Sequence, residues 1–463
     1  MAGFVPHTDA DVAAMLADLG LSSVDDLFAV VPVALRLAGG LDLPAGLSEP
    51  DTLARVAEVA AANSPAGRDL VCFAGGGAYD HDVPSVVRQV AFRSEFVTAY
   101  TPYQAEVAQG VLQALFEYQT VVARLFGMEV ANASLYDGAS ACVEAANLAA
   151  AATGRHTIWV SRGVHPHWRQ VLATLAAGTG HDPVDVPLTG LRGPNAATGL
   201  RGAGTRTGGT TAWPEVPTGA PPAALVVQSP NYLGCIEDLA AAGEVARRTG
   251  ALLVVAADPV AAGLVRAPGE FGADVVVGEG QPFGTPLSFG GPYLGLFACR
   301  RDLVRRLPGR LVGETVDTEG RRAYVTTLRT REQDIRREKA SSNVCTNQTL
   351  VAVAFVVHLA WLGTAGLREL ALRCARGTRY AREMALAIDG VEPLADAPVV
   401  REFALRLPVP AATVVERMAE EGVLAGIALD ADDYGDGLLV AVTERRTRDE
   451  IDAWAAALEK AVR

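Results

Sequence analysis

Four short β-branched or apolar runs, at residues 157–160, 225–228, 252–257 and 275–277, alternate with segments of helical period. This alternation restricts the fold more than any other feature of the chain. A strand running parallel to the one before it needs a crossover, and successive crossovers lay helices over both faces of a sheet. The expected class is therefore α/β, with a large, mostly parallel sheet. Residues 236–248 give the clearest intervening helix, and residues 293–299 add a further strand. Ahead of the first strand, Val107, Val111, Leu115, Tyr118, Val122 and Leu125 recur every three or four residues. That spacing predicts one long helix over 104–126 with a core-facing stripe.

On either side of this region the pattern changes. Up to residue 63 the chain reads as short helices separated by Pro and Gly, with no strand. Asp9 is placed to cap a helix over 10–19, Ser22 or Ser23 one over 24–28, and a third spans 52–62. Residues 190–222 are rich in Gly, Thr, Pro and Ala without periodicity, which predicts a flexible surface loop. The apolar run 350–362 contains His358 and is too short to cross a bilayer, so it reads as a buried helix continuing to about residue 387. Strand, helix, strand and helix then follow at 403–407, 411–421, 438–442 and 448–462. The expected organisation is an N-terminal helical arm (1–63), a large α/β domain (64–365) and a small C-terminal α/β domain (366–463).

With 463 residues, half of them hydrophobic, the chain can bury a large core. A net charge of −13 argues against a nucleic-acid groove or an anionic membrane as partner. Six scattered cysteines without a C-x-x-C pair argue against a zinc site or a disulfide scaffold, and for reduced thiols in the cytoplasm. His165-Pro166-His167 is the one close histidine pair, and with no Cys or acidic neighbour it reads as structural. The first residues, with Asp9 and Asp11, do not form a signal peptide.

The informative polar residues stand at strand ends, where α/β sheets place ligands. Asp258 closes the strand 251–257. It could pair with a protonated ring nitrogen, as in pyridoxal 5'-phosphate (PLP) enzymes, or cap the turn into Pro259. The next strand ends in GEGQP (278–282), where a PLP domain would carry its imine-forming lysine. Gln281 and its neighbours offer no such amine. Only two lysines exist, Lys339 and Lys460. Lys460 sits three residues from the C-terminus of the sequence. Lys339 ends a dense mixed-charge run from Arg329, which reads as a salt-bridged helix face or subunit contact. The segment Tyr100-Thr101-Pro102-Tyr103-Gln104-Ala105-Glu106 either caps the long helix or presents hydroxyl and carboxylate groups to a site. Gly75-Gly76-Gly77 and the stretch Tyr136 to Ser140 could approach a phosphate, although Asp137 would repel an anion.

A set of blocks in fixed order gives these residues a context: FVPHT (4–8), GAYDH (77–81), RSEF (93–96), TAYTPYQ (98–104), EYQ (117–119), ANASLYDG (131–138), SPNYLGCIED (229–238), GEGQP (278–282), PLSFGGPY (286–293), PGRLVGET (308–315) and RREKASSNVCTN (336–347). The chain resembles subunit 1 of glycine dehydrogenase (decarboxylating), the N-terminal half of the glycine cleavage system P-protein. The resemblance implies a PLP-dependent transferase fold, aminotransferase-like (fold type I). It implies a partner, subunit 2, that holds the PLP, and a vestigial pocket here marked by Asp258 and Gln281. The implied reaction decarboxylates glycine and transfers its aminomethyl group to the lipoyl arm of H-protein, in a cytoplasmic heterotetramer with two copies of each subunit. Carried over by position, Tyr100, Tyr103, Glu106, Asn343, Thr346 and Asn347 are the groups expected near the shared site. Two departures stand out: the Gly/Thr-rich 190–222 loop replaces a more ordered, charged stretch, and Ala105 stands where the family usually has proline. The alternatives are a self-sufficient PLP enzyme using Lys339 and a non-catalytic scaffold or regulatory paralogue.

Overall fold

The computed structural model describes residues 6–37, 39, 41–98, 101–191, 208–214 and 220–463. The chain divides into two compact units, Met1–Asn63 and Ser64–Arg463. In the first, Thr8 rather than Asp9 caps the helix Asp9–Asp18, because Thr8 and Asp11 bond each other reciprocally in a capping box. A 3₁₀ turn covers Val24–Phe28, and Ser48 caps the helix Glu49–Ala60.

In the second unit the strands run, in chain order, β1 (Val71–Cys72), β2 (Val130–Ala131), β3 (Thr157–Ser161), β4 (Asp182–Val186), β5 (Ala224–Ser229), β6 (Leu252–Ala257), β7 (Val275–Glu279), β8 (Gly295–Cys299), β9 (Val312–Val316), β10 (Arg322–Thr326), β11 (Glu392–Pro393), β12 (Glu402–Arg406), β13 (Val423–Leu424), β14 (Ile427–Ala428) and β15 (Leu438–Ala441). Seven of them form one sheet in the order β2-β8-β7-β6-β5-β3-β4. β3 to β7 pair in parallel, whereas β8 runs antiparallel to both β7 and β2. Alternate residues feed two cores, as the two-residue side-chain period requires. Leu225, Val227, Leu253, Val255 and Val276 pack on one face with the helices Gln109–Phe126, Leu239–Thr249 and the start of Thr349–Leu386. Val226, Val254, Ala256, Val275 and Val277 pack on the other with Gly138–Thr153 and Pro166–Thr179.

A second sheet, β11-β12-β15-β14, is antiparallel and carries the helices Ala411–Glu420 and Arg448–Ala461. Its core is built on Trp454, which is fully buried, stacks on Phe73 at 5.2 Å and donates its indole N–H to the Ala425 carbonyl at 3.0 Å. Phe73 follows β1, which pairs with β13, so residues just after the arm are woven into the C-terminal part of the chain.

Four expectations change. The long helix begins at Gln109, not 104, since residues 105–107 form a turn and neither Thr101 nor Gln104 caps it; Val107 is exposed. The mixed-charge run after Arg329 is no helix face but three short turns, in which Arg331 and Glu332 are buried and Glu332 pairs with Arg310. The apolar run extends into a 38-residue helical stretch, Thr349–Leu386, long and apolar enough by length and composition to cross a membrane. It breaks at Gly363 and buries Ala352, Val353, Phe355 and His358 in the protein, the behaviour of a core helix. Most of 190–222 lies outside the described residues, but 208–211 is no surface loop. Thr211 is buried and bonds Ser161 at 2.6 Å and Glu237 at 3.0 Å, because these buried polar groups need partners.

Replacing Trp454 with alanine removes the stack, the indole hydrogen bond and the core volume together. Stability should fall by about 3–5 kcal/mol, read as a lower midpoint in urea unfolding followed by far-UV circular dichroism.

Candidate functional site

The parallel strands deliver Ser229, Asp258 and Glu279 to one edge of the large sheet, the carboxyl edge. Of the two roles open to it, Asp258 takes the turn, and an arginine holds its carboxylate where a ring nitrogen was the alternative. Its Oδ1 accepts the Val260 N–H at 2.9 Å, closing the turn, and also receives the Arg401 guanidinium at 2.9 Å. Arg401 immediately precedes β12, so this ion pair joins the small sheet to the large one. The guanidinium lies 3.4 Å above the Tyr79 ring and donates to His81 Nε2 at 2.5 Å. His81 then donates from Nδ1 to Glu444 at 2.6 Å. Burial works against the Arg401 charge, but Asp258, Tyr79 and Glu402 more than offset it, so the arginine is held above its ordinary pKa. Glu402 accepts the Tyr79 hydroxyl and the Gly76 N–H, both at 2.7 Å, and burial raises its pKa. Gly76, at φ +66°, and Gly77, at φ +109°, thread the chain between Glu402 and His165, a path closed to most side-chain-bearing residues.

His81, Cys374 and Glu444 place ligand-type atoms within 4.8 Å of one another. The Arg401 guanidinium bonded to His81 fixes a positive charge at that spot, which opposes a cation. The trio reads instead as the outer part of the arginine's support.

Glu279 organises the other end of the cavity. Its carboxylate accepts the N–H groups of Leu294 (2.9 Å), Gly138 (3.0 Å) and Gln281 (3.0 Å). Gly138 is the first residue of the helix Gly138–Thr153, whose N-cap Asp137 takes the Ser140 N–H at 2.7 Å. His165 lies across the cavity and donates from Nε2 to the Gly76 carbonyl at 2.6 Å, while its Nδ1 accepts the His167 N–H; burial lowers its pKa to about 4. It is thus part of the site wall, where the sequence suggested a structural histidine alone. Together Asp258, Glu279, His165, Tyr79, Arg401 and Glu402 leave a cavity of about 50 Å³, space for a few water molecules.

Gln281 is buried just behind this wall. Its amide brackets the Tyr79 backbone, accepting from N at 3.0 Å and donating to O at 3.1 Å, and donates to the Thr285 carbonyl at 2.8 Å. Neither lysine lines the cavity: Lys339 is exposed on a 3₁₀ turn, and Lys460 pairs with Glu421 at the surface. PLP, which this architecture implies, does not fit these residues, because Arg401 engages the aspartate, no lysine lines the wall and the space left holds only a few waters.

The remaining candidates gather elsewhere. Tyr103 stacks under Arg310 at 4.3 Å and lies 3.5 Å from the Cys345 carbonyl; Asn347 donates to the Ala133 carbonyl (2.9 Å) and Ser134 Oγ (3.0 Å). Asn343 and Thr346 are exposed on the segment so anchored, and Glu106 is exposed on the turn before the long helix. None of these lines the Asp258 cavity. Tyr100 lies outside the described residues. Sequence reasoning missed Arg401, Glu402, Tyr79 and Glu279. The available signals were the charged pair Arg401-Glu402 at the start of an apolar strand and the blocks GAYDH and GEGQP, which carry Tyr79 and Glu279.

A large, mostly parallel sheet with an aspartate at its carboxyl edge, joined to a small antiparallel sheet, defines the architecture of the aminotransferase-like PLP-dependent enzymes, fold type I. Sphingosine-1-phosphate lyase from Burkholderia pseudomallei (TM-score 0.64, 17% identity, 93% of this chain and 94% of that one) and the Escherichia coli cysteine desulfurase CsdA (TM-score 0.58, 16%, 85% and 94%) share that fold. A family model described as glycine cleavage system P-protein matches residues 2–458, and the chain belongs to that family. It is similar to probable glycine dehydrogenase (decarboxylating) subunit 1 of Chlorobaculum tepidum, 46% identical over 456 residues covering 98% of this chain and 99% of the relative. Likewise it is 46% identical to the subunit of that name from Moorella thermoacetica over 457 residues, 98% of each. The crystal structure of a glycine decarboxylase (P-protein) in inhibitor-bound form superposes with a TM-score of 0.90 at 43% identity, over 99% of this chain and all of that one.

Burial raises Glu279 to about 7, against the lowering effect of its three N–H donors. An acid whose folded pKa lies above its unfolded value of 4.5 stabilises the fold less as pH rises between the two values. Stability measured at successive pH values should show wild type losing ground to Glu279→Gln from pH 4.5 to 7, by roughly 3 kcal/mol at most. A difference that stays flat across the window contradicts this assignment.

Proposed function

We propose that this chain is the cofactor-free subunit 1 of a split glycine dehydrogenase (decarboxylating), working with a second subunit that carries the PLP. The observation that carries the reading is the cavity itself: the strand-end aspartate of a PLP fold is kept, yet its partner is Arg401 and no lysine lines the wall. The family and the full-length likeness to glycine decarboxylase favour this over a self-sufficient enzyme, and exposed Lys339 has no place near Asp258 in the cavity wall. In the assembled enzyme, PLP on the partner supplies the sink for the electron pair released when glycine loses its carboxylate, and the aminomethyl group passes to the lipoyl arm of H-protein.

This chain contributes shape and polar groups. The segment carrying Asn343 and Thr346 is held by Asn347 to residues 133–134, and Tyr103 and Arg310 brace it through the Cys345 carbonyl. Such bracing presents exposed amide and hydroxyl groups on a fixed support, the arrangement a shared site requires. Tyr100 and Glu106 belong to the same proposal by their place in the sequence. A heterotetramer of two copies of each subunit, in the cytoplasm, completes the reading; five of the six free thiols are buried, in keeping with a reducing compartment.

Reconstitution tests it. The chain, a subunit 2 partner, H-protein and labelled bicarbonate should together exchange label into glycine, and omitting this chain should abolish exchange. The isolated chain with PLP should develop no visible band that borohydride bleaches. Asn343→Ala should leave the chain's own stability within about 0.5 kcal/mol yet lower exchange about tenfold or more. No exchange with a competent partner would sink the subunit reading.

A further inference from the structure

A phosphorylated pyridinium has two charged ends, a cationic ring nitrogen and a phosphate. The fold offers a natural counterpart for each: a strand-end carboxylate for the cation, and a helix N-terminus for the anion. In this chain both counterparts are already engaged by its own side chains. We propose that Arg401 and Glu279 take the places of the two charged ends of the missing cofactor, so that the groups that would bind it are occupied by the protein's own side chains.

At the cationic end, the Arg401 guanidinium sits on Asp258 at 2.9 Å and over the Tyr79 ring at 3.4 Å. A pyridinium ring would demand the same pair of contacts, a carboxylate at its edge and an aromatic face. At the anionic end, the Glu279 carboxylate takes the Gly138 N–H at the first turn of a 16-residue helix, and Asp137 takes the Ser140 N–H. Two further backbone donors, from Gln281 and Leu294, complete its shell. A phosphate arriving there would meet two carboxylates and few free donors. The two stand-ins come from different parts of the chain, one from the small sheet and one from β7, so the match is not a local accident of one loop. An ordinary buried ion pair would account for Arg401 alone, but not for a carboxylate placed where the helix would hold a phosphate.

This inference rests on the reading that the cofactor belongs to the partner, yet it can be tested on the full-length chain alone. Arg401→Ala should lower the melting temperature, and millimolar guanidinium chloride should restore about 2 °C or more relative to equal sodium chloride. Glu279→Ala should likewise be raised by inorganic phosphate above a sodium chloride control of equal ionic strength. Wild type should show neither response, and should retain no pyridoxamine 5'-phosphate in equilibrium dialysis; that last measurement stands even if a variant does not fold. Absence of selective rescue in folded variants, or retention of pyridoxamine 5'-phosphate by wild type, would overturn the proposal. If rescue fails while label exchange proceeds, the stand-in idea alone falls. If rescue succeeds and exchange fails, the subunit assignment falls instead.

Discussion

The Arg401–Asp258 ion pair is the contact on which the rest of this structure turns. It links the two larger sheets among the described residues, at the point where the large sheet's strands end. A buried pair of this kind is weak evidence for net stability, because removing both charges from water opposes their attraction. Its weight lies in geometry. Tyr79 below, His81 and Glu444 behind, and Glu402 alongside leave the guanidinium one position. Losing either partner would strand the other charge in a dry environment, so the two sheets are bound to a single relative placement.

That fixed placement separates two kinds of residue. Around Asp258 most of the polar groups bond one another, leaving a cavity of only about 50 Å³. Around Tyr103, Arg310 and Asn347 the supporting groups are bonded, but Asn343 and Thr346 are left facing solvent. The first set is turned inward on itself, while the second presents a braced polar segment outward, the contrast on which the proposed division of labour rests. The name subunit 1 carried by its relatives implies a second subunit, which suits such a division of labour.

Much of the fold could be read from residue pattern. The strand 252–257 was placed to the residue, and the C-terminal strand–helix–strand–helix series to within one residue at most ends, because apolar period and turn residues mark these elements locally. The start of the helix at Gln109 was not legible. Residues 105–107 carry helical spacing, but the turn is decided by Gln109, whose amide bonds the Ala105 carbonyl and the Tyr324 backbone, 215 residues away in sequence. The run after Arg329 misled in the same way: alternating charges suggested a solvated helix, whereas burying Glu332 against Arg310 breaks it into turns.

By itself the sequence determined the class of fold, the carboxylate at 258, and the lack of any amine at the end of β7, since these follow from local period and from residue chemistry that no folding can alter. Only the tertiary structure decided what those residues face. Arg401 is 143 positions from Asp258 in number and belongs to another sheet; Glu279 reaches the helix that begins at Gly138. Which side chain fills a cavity depends on how distant segments close around it. That closure is a property of the packed chain and leaves no periodic mark along it.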